Sequence, residues 1–181
     1  MISKFFSFIL ILALSGFSLK SYSQENDNKS AIEWQSFESA IKDNESYPRK
    51  KVFIDLYTDW CGWCKKMDAE TFVDERVVNY MKNNFRAVKM DAERKDTVAY
   101  MGHSFVNENP NGRRNAHQLA VALLNGRMSY PSYVILDEQN NKLTQIPGYM
   151  KAPELMMILK YFGENHHIEM SWENYHKSQT E

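Results

Sequence analysis

Two cysteines, Cys61 and Cys64, stand three positions apart where a strand pattern gives way to a helical one. Residues 52–57 are largely apolar and rich in β-branched and aromatic side chains, and a helical pattern follows Cys61. At this spacing the two thiols can close a disulfide on one helical turn. The first thiol would lie at the helix N-terminus, where unpaired N–H groups favour an anion. Such a position lowers the pKa of a thiol below about 8.5, and the thiolate is the nucleophile. The motif therefore predicts thiol–disulfide exchange.

A zinc site and an inert structural disulfide are the two alternatives for this cysteine pair. A four-cysteine zinc site needs a second pair, which the sequence lacks. A site of two cysteines and two histidines would draw on the chain's five histidines. Of these only His166 and His167 are clustered, at a spacing that does not match a zinc finger. We therefore favour a redox role and expect neither a metal nor a cofactor.

The first 23 residues are typical of a secretory signal peptide. Lys4 supplies a basic start, residues 5–14 are almost entirely apolar, and Ser21 and Ser23 form a small-x-small cleavage pattern. The apolar run is shorter than the roughly 20 residues of a membrane-spanning helix, which favours cleavage over an uncleaved anchor. Export would place the chain where disulfides persist, and we expect the bacterial periplasm or cell envelope.

Charge and length predict one domain without nucleic-acid partners. The chain has 22 basic and 23 acidic side chains, and residues 1–23 hold two of the lysines and no acid, so the mature chain carries a net charge of −3. This balance does not suggest binding to nucleic acid or to an anionic membrane. We expect a flexible lead over 24–30, one domain over 31–163 and a C-terminal extension over 164–181, with no stable membrane span after cleavage.

Periodicity and turn residues predict an alternation of strands and helices. Strands are predicted near residues 32–34 and over 51–57, 85–91, 132–136 and 142–146, the last two as a hairpin. Helices are predicted before Pro48, from Cys61 onward with a kink before Val77, around 96–101, over 116–124, over 153–163 and within 164–181. The asparagine-rich stretch 102–114 is predicted to be an irregular loop.

This order of elements resembles the thioredoxin superfamily. The resemblance covers about 32–163. It rests on a strand followed by Trp60-Cys61-Gly62-Trp63-Cys64-Lys65 at a helix start, and then on a proline before a strand hairpin and a closing helix. The string 53–61 with Thr71-Phe72 is most similar to the domains of envelope thiol–disulfide interchange proteins, such as the C-terminal domain of DsbD. The resemblance implies an α/β thioredoxin-like fold. Its central mixed β-sheet would be flanked by helices, with an insertion at about 102–128 before the cis-proline strand.

The resemblance also implies roles for the dithiol and its acids. Cys61 corresponds to the attacking nucleophile and Cys64 to the resolving cysteine. Asp55 corresponds to a buried acid beneath the second cysteine, where burial raises a carboxyl pKa and allows it to take the Cys64 proton. Asp68 corresponds to an auxiliary acid one turn after Cys64, although a solvated acid on the helix surface explains it equally well.

Five further positions are implied to bind substrate. The Tyr130–Pro131 bond is expected to be cis and to face the dithiol, so that the Tyr130 backbone pairs with the substrate chain. Gly148 would let the substrate backbone approach, although a simple turn glycine is as good an explanation. Trp60 would help to hold the partner. Trp63 stands where thioredoxin has proline and adds an exposed aromatic ring.

The implied partners are disulfide-containing proteins and an external electron donor, such as a membrane thiol–disulfide carrier. The similarity to interchange proteins favours reduction over oxidation. Two other functions remain open: a peptide- or client-binding module with a non-catalytic dithiol, and a copper-handling protein in which His103 or His117 joins the cysteines. Arg113 and Arg114 are expected near the dithiol, where they would stabilise a thiolate or an acidic partner, or simply form a solvated turn.

Overall fold

A computed structural model describes residues 31–181, so the predicted signal peptide (1–23) and lead (24–30) lie outside the described residues. The strands are β1 (Lys51–Tyr57), β2 (Phe85–Asp91), β3 (Val98–Tyr100), β4 (His103–Phe105), β5 (Ser132–Leu136) and β6 (Lys142–Pro147). The central sheet has the order β2-β1-β5-β6, with β1 parallel to β2 and antiparallel to β5, and β5 antiparallel to β6. The predicted mixed sheet is therefore confirmed.

Helices cover both faces of this sheet, as the predicted α/β fold requires. They are α1 (Phe37–Asp43), α2 (Gly62–Lys66), α3 (Glu75–Asn84), α4 (Gln118–Leu123), α5 (Ala152–Gly163), α6 (His166–Glu169) and α7 (Trp172–Thr180). A π-helical turn over Met67–Thr71 follows α2 and produces the predicted kink before α3. Among residues 31–181, no helix has both the length and the hydropathy needed to cross a membrane.

The alternation of side chains along β1 divides the core into two layers. Val52, Ile54 and Leu56 are buried on the side of α1 and α4. Phe53 is buried on the opposite side, with α3 and α5. Since successive residues of a strand point to opposite faces, Asp55 projects to the same side as Phe53. The buried Asp55 carboxyl therefore lies in the core layer that Phe53 forms with α3 and α5.

Two of the predicted elements are wrong, and the stretch 102–114 predicted as an irregular loop contains a strand, β4. The helix expected around 96–101 is instead β3, which pairs with β4 across a tight turn where Met101 and Gly102 both have positive φ. Such a turn joins two antiparallel strands and ends any helix. The Tyr100 ring also packs edge-on against Phe37, 5.1 Å between centroids, and this tertiary contact favours the hairpin. The strand expected at 32–34 is replaced by a single bridge between Gln35 and Val88.

Residues 164–181 form α6 and α7, which pack on α5. The Tyr161 ring of α5 lies 5.3 Å from Trp172 and 5.1 Å from Tyr175 of α7, measured between centroids. The Tyr161 hydroxyl also donates a hydrogen bond to the carbonyl of Met170, 2.7 Å away. These contacts hold the C-terminal residues against the body of the fold.

Candidate active site

The dithiol lies at the junction that the sequence predicts, between the end of β1 and the start of α2. Cys61 and Cys64 form a disulfide and are both nearly buried, with 4 % and 3 % of their surfaces exposed. Cys61 is the N-cap residue of α2, and its Sγ accepts a hydrogen bond from the Cys64 backbone N–H at 3.0 Å. The first sulfur of the pair is therefore the one that receives a helix N-terminal donor.

Asp55 is a buried acid joined to the dithiol segment by a lysine. Its side chain is almost fully buried, and Oδ2 lies 3.2 Å from Lys89 Nζ. The same ammonium pairs with Asp68, which lies four residues after Cys64 at the start of the π-helical turn. Burial raises the pKa of Asp55 to about 6, against the opposing effect of the Lys89 charge and hydrogen bond, and the Asp68 charge raises it slightly further. This carboxyl can change its protonation state close to neutral pH.

Lys89 is a site residue that the sequence analysis missed. It is the register partner of Asp55 on β2, so the two side chains project from neighbouring strands. Three aromatic rings surround its ammonium group, with centroids 5.2 Å away for Trp34 and Tyr57 and 5.8 Å for Phe72. Such rings attract a cation and hold it in place. A lysine at the same alternation position as Phe85 and Ala87 in the predicted strand 85–91 was the available signal, but its partner depends on strand register.

A groove beside the dithiol brings together four of the five predicted substrate-binding residues. It has a volume of about 390 Å³ and is lined by Trp63, Tyr130, Pro131, Gly148 and Tyr149. The Tyr130–Pro131 bond is cis, as predicted. Gly148 has φ of +99° and donates its backbone N–H to the carbonyl of Pro131 at 2.8 Å. Trp63 is 58 % exposed, so its ring is available to a partner.

Tyr149 also lines this groove, although the sequence did not predict it as a site residue. Its ring lies 5.5 Å from that of Trp63, and its hydroxyl donates to Glu70 Oε2 at 2.7 Å. Lys66 Nζ lies over both rings, 5.4 Å from the Trp63 centroid and 5.1 Å from that of Tyr149. The Trp63 and Tyr149 rings are therefore held in place by Lys66 of α2 and Glu70 of the π-helical turn, which also form an ion pair.

Trp60, the fifth predicted residue, does not line the groove but packs against Tyr130, which does. Its ring lies edge-on to Tyr130 at 5.9 Å, and its indole N–H donates to Glu93 at 3.1 Å. The Arg114 guanidinium lies over the Trp60 ring, 4.7 Å from its centroid. The segment 102–128 thus contacts the residue that precedes Cys61, as expected from its position before Pro131.

His117, one of the two histidines considered for copper, has a structural position. It is fully buried and caps the N-terminus of α4, with Nδ1 accepting from the Leu119 N–H at 3.1 Å. Its Nε2 faces the carbonyl of Asp96 at 2.9 Å and donates to it in that tautomer. His103 is exposed on β4. Within residues 31–181, no three histidine, cysteine or acidic side chains group closely enough to hold a metal.

Comparisons with known proteins agree with this geometry. A family model described as a thioredoxin-like domain matches residues 37–163. The chain is 30 % identical over 113 residues to the thiol:disulfide interchange protein DsbD of Colwellia psychrerythraea, a match that covers 61 % of this chain and 16 % of that protein. The chain therefore spans about a sixth of the length of this curated relative. The distant resemblance to DsbD expected from the motif is confirmed.

Solved structures are similar over most of the described fold. A candidate disulphide-isomerase from Bacteroides thetaiotaomicron is 26 % identical, with a TM-score of 0.52, over 75 % of this chain and 94 % of the other. A thioredoxin-fold protein from Helicobacter pylori is 15 % identical, with a TM-score of 0.55, over 72 % of this chain and 80 % of the other. The second likeness concerns the fold alone, and it agrees with the sheet order described above.

Proposed function

This chain belongs to the thioredoxin-like domain family, and we propose on that premise that it is a thiol–disulfide oxidoreductase that reduces disulfides in proteins of the cell envelope. The observation that carries the proposal is the disulfide between Cys61 and Cys64 at the start of α2, beside an open aromatic groove. Asp55, a buried acid with a pKa of about 6 that is joined through Lys89 to Asp68 in the segment after Cys64, supports exchange, because an exchange reaction needs a proton acceptor near neutral pH.

The first step of the proposed reaction is attack by Cys61. In the reduced protein its thiolate attacks one sulfur of a substrate disulfide, the substrate S–S bond breaks, and the other substrate sulfur leaves as a thiolate. The Cys64 backbone N–H, which donates to Cys61 Sγ in the structure, is placed to stabilise that attacking thiolate. The product is a mixed disulfide between Cys61 and the substrate.

The second step releases the substrate. The Cys64 thiol gives its proton to Asp55, and the resulting thiolate attacks Cys61 Sγ. The mixed disulfide breaks, the substrate leaves with its second sulfur reduced, and the Cys61–Cys64 disulfide forms. The two electrons come from the dithiol. Asp55 suits the role of proton acceptor because its pKa of about 6 leaves it largely ionised at neutral pH and still basic enough to accept.

Substrate is proposed to lie in the aromatic groove as an extended chain. Its backbone would run along Tyr130–Pro131 and pass over Gly148, where no side chain stands in the way. Trp63 and Tyr149 would contact apolar side chains of the substrate on one side. Trp60 would act indirectly by supporting the Tyr130 ring.

Continued turnover needs an external reductant, and we propose a membrane thiol–disulfide carrier. Similarity to an interchange protein favours such a donor. The proposed site of action is the periplasm or cell envelope, which rests on the signal-peptide pattern of residues 1–23.

The test combines trapping with a redox titration. Cys64→Ser should accumulate a mixed disulfide with a reducible protein such as insulin, because the resolving thiol is missing, whereas Cys61→Ser should trap nothing. The wild-type protein equilibrated in glutathione and dithiothreitol buffers should show a reduction potential near the value of about −270 mV found for thioredoxin. A potential near about −120 mV, as in DsbA, would reverse the proposed direction. Absence of a reversible dithiol couple would refute the enzyme function and favour a client-binding module.

A further inference from the structure

Tyr133 is a buried residue next to Asp55 for which the reaction above has no role. It lies on β5 and is the register partner of Asp55 on β1. Residues directly opposed on antiparallel strands project to the same face, so the phenol and the carboxyl enter the same layer of the core. There the Tyr133 ring packs against Phe53 and Phe72, with centroids 5.4 Å and 6.1 Å away.

Each of these two side chains has a buried oxygen without a hydrogen-bond partner among residues 31–181. Asp55 Oδ2 is satisfied by Lys89, but Oδ1 is not, and the Tyr133 hydroxyl is also unpartnered. An unpaired buried polar group is costly, and native structures contain few of them. A carboxylate only accepts hydrogen bonds and a phenol can donate one, so the two groups are chemically complementary.

Burial, together with the surrounding charges, keeps this phenol protonated and able to donate. Burial raises the pKa of Tyr133, and the negative charges of Asp55 and then Asp68 raise it further. Lys89 from β2 is the other group that acts on the pair, and it lowers the pKa of Asp55; the Asp55 charge in turn raises the pKa of Tyr57 on β1. Tyr133 therefore keeps its proton at neutral pH and can stabilise a negative neighbour without taking part in the proton transfer.

We propose that Tyr133 is a positioning residue for the resolving step, whose hydroxyl donates a hydrogen bond to Asp55 Oδ1 through one bridging water while that carboxyl is ionised. This inference rests on the proposed function, because the carboxyl it acts on is the proposed acceptor of the Cys64 proton. During the transfer the proton moves from Cys64 Sγ to Asp55, and the Tyr133 proton stays on the phenol. The hydrogen bond favours the ionised carboxyl and so sets the pH above which Asp55 can accept.

The direct test is a titration of Asp55 in the disulfide-bonded protein, followed through its carboxyl carbon by NMR. Tyr133→Phe keeps the ring and removes only the hydroxyl. We expect this change to raise the Asp55 pKa by about 1 to 2 units, the effect of losing a hydrogen bond to the charged form. The matched control is Tyr100→Phe, which removes a hydroxyl that donates to Asn140 on the other side of the sheet. It should leave the Asp55 titration unchanged.

A second variant covers the case in which Tyr133→Phe does not fold. Replacing Tyr133 with 3,5-difluorotyrosine keeps the hydroxyl and makes it a stronger donor, so the Asp55 pKa should fall. An Asp55 titration that moves in neither variant, in protein with native melting behaviour, overturns the inference.

The pH profile of substrate release from the Cys61 mixed disulfide should move with the Asp55 pKa in the same variants, which a merely structural tyrosine would not cause. If the pH profile of substrate release is unchanged while the Asp55 pKa shifts, the role of Tyr133 in the resolving step is refuted. The NMR titration needs no turnover. A protein that titrates as expected but exchanges no disulfides would therefore refute the proposed function separately.

Discussion

Asp55→Asn should stabilise the oxidised protein at neutral pH. The folded-state pKa of about 6 lies above the ordinary value of 3.8, so between these two values the folded state binds more protons than the unfolded state. The free energy of unfolding must then fall as pH rises from about 4 to about 6 and stay lower above that range. A difference of about 2 pKa units at about 1.4 kcal/mol per unit corresponds to about 3 kcal/mol lost at neutral pH.

An uncharged asparagine removes this penalty, and the pKa of about 6 already includes the attraction between Asp55 and Lys89. In the variant Lys89 keeps its pair with Asp68 and its three aromatic neighbours, whereas the buried asparagine amide needs hydrogen-bond partners of its own and so reduces the gain. We therefore expect a net gain of about 1 to 3 kcal/mol near pH 8, which disappears below about pH 3, where the carboxyl is protonated in both states.

Urea unfolding of both oxidised proteins across this pH range measures the difference. Asp96→Asn is the matched control, and its expected effect on the free energy of unfolding has the opposite sign. The reason is that hydrogen bonds from Arg94 lower the Asp96 pKa to about 2. Asp96 therefore contributes stability that is present above about pH 4 and is lost as the pH falls toward 2, and its replacement should destabilise the protein at neutral pH. The reasoning would be refuted if Asp55→Asn were no more stable than wild type near pH 8, or if its gain did not depend on pH.

Three further changes test other parts of the site. Lys89→Met should raise the Asp55 pKa above about 6, since its cation partner is lost, and an unchanged carboxyl titration by NMR would contradict this. Gly148→Ala should cost about 1 kcal/mol or more in urea unfolding, because alanine at φ of +99° is strained, whereas Gly62→Ala in α2 should cost less. His117→Ala should cost at least about 1 kcal/mol, because both the α4 cap and the contact with the Asp96 carbonyl are lost from a buried position. It should leave Cu(I) affinity, measured by chelator competition, unchanged; weaker copper binding would revive the copper-handling function.

Much of the site could be predicted from local pattern alone. A continuous apolar, β-rich run located β1, alternating side chains located β2, and the turn residues 137–141 located the β5–β6 hairpin. The spacing of Cys61 and Cys64 at the start of a helical pattern located the dithiol. Asp55 and the groove residues came from the resemblance to a known superfamily, since neither spacing nor composition shows what lies beneath a cysteine.

The helix expected around 96–101 shows where local pattern fails. Val98 and Tyr100 are compatible with either period over so short a stretch, and the outcome was decided by the turn at Met101-Gly102 and by packing against Phe37. Tertiary contacts of this kind override weak local preference.

The reactive pair and the elements that carry it follow from the sequence alone, because both are properties of residues close together in the chain. The groups that surround Asp55 are instead set by the packing of the strands. Lys89 and Tyr133 are distant from it in sequence and become its neighbours through strand register, on one side parallel and on the other antiparallel. A shift of one residue in either register would point those side chains to the opposite face, so the electrostatics of the proposed acid depend on pairing that no local pattern contains.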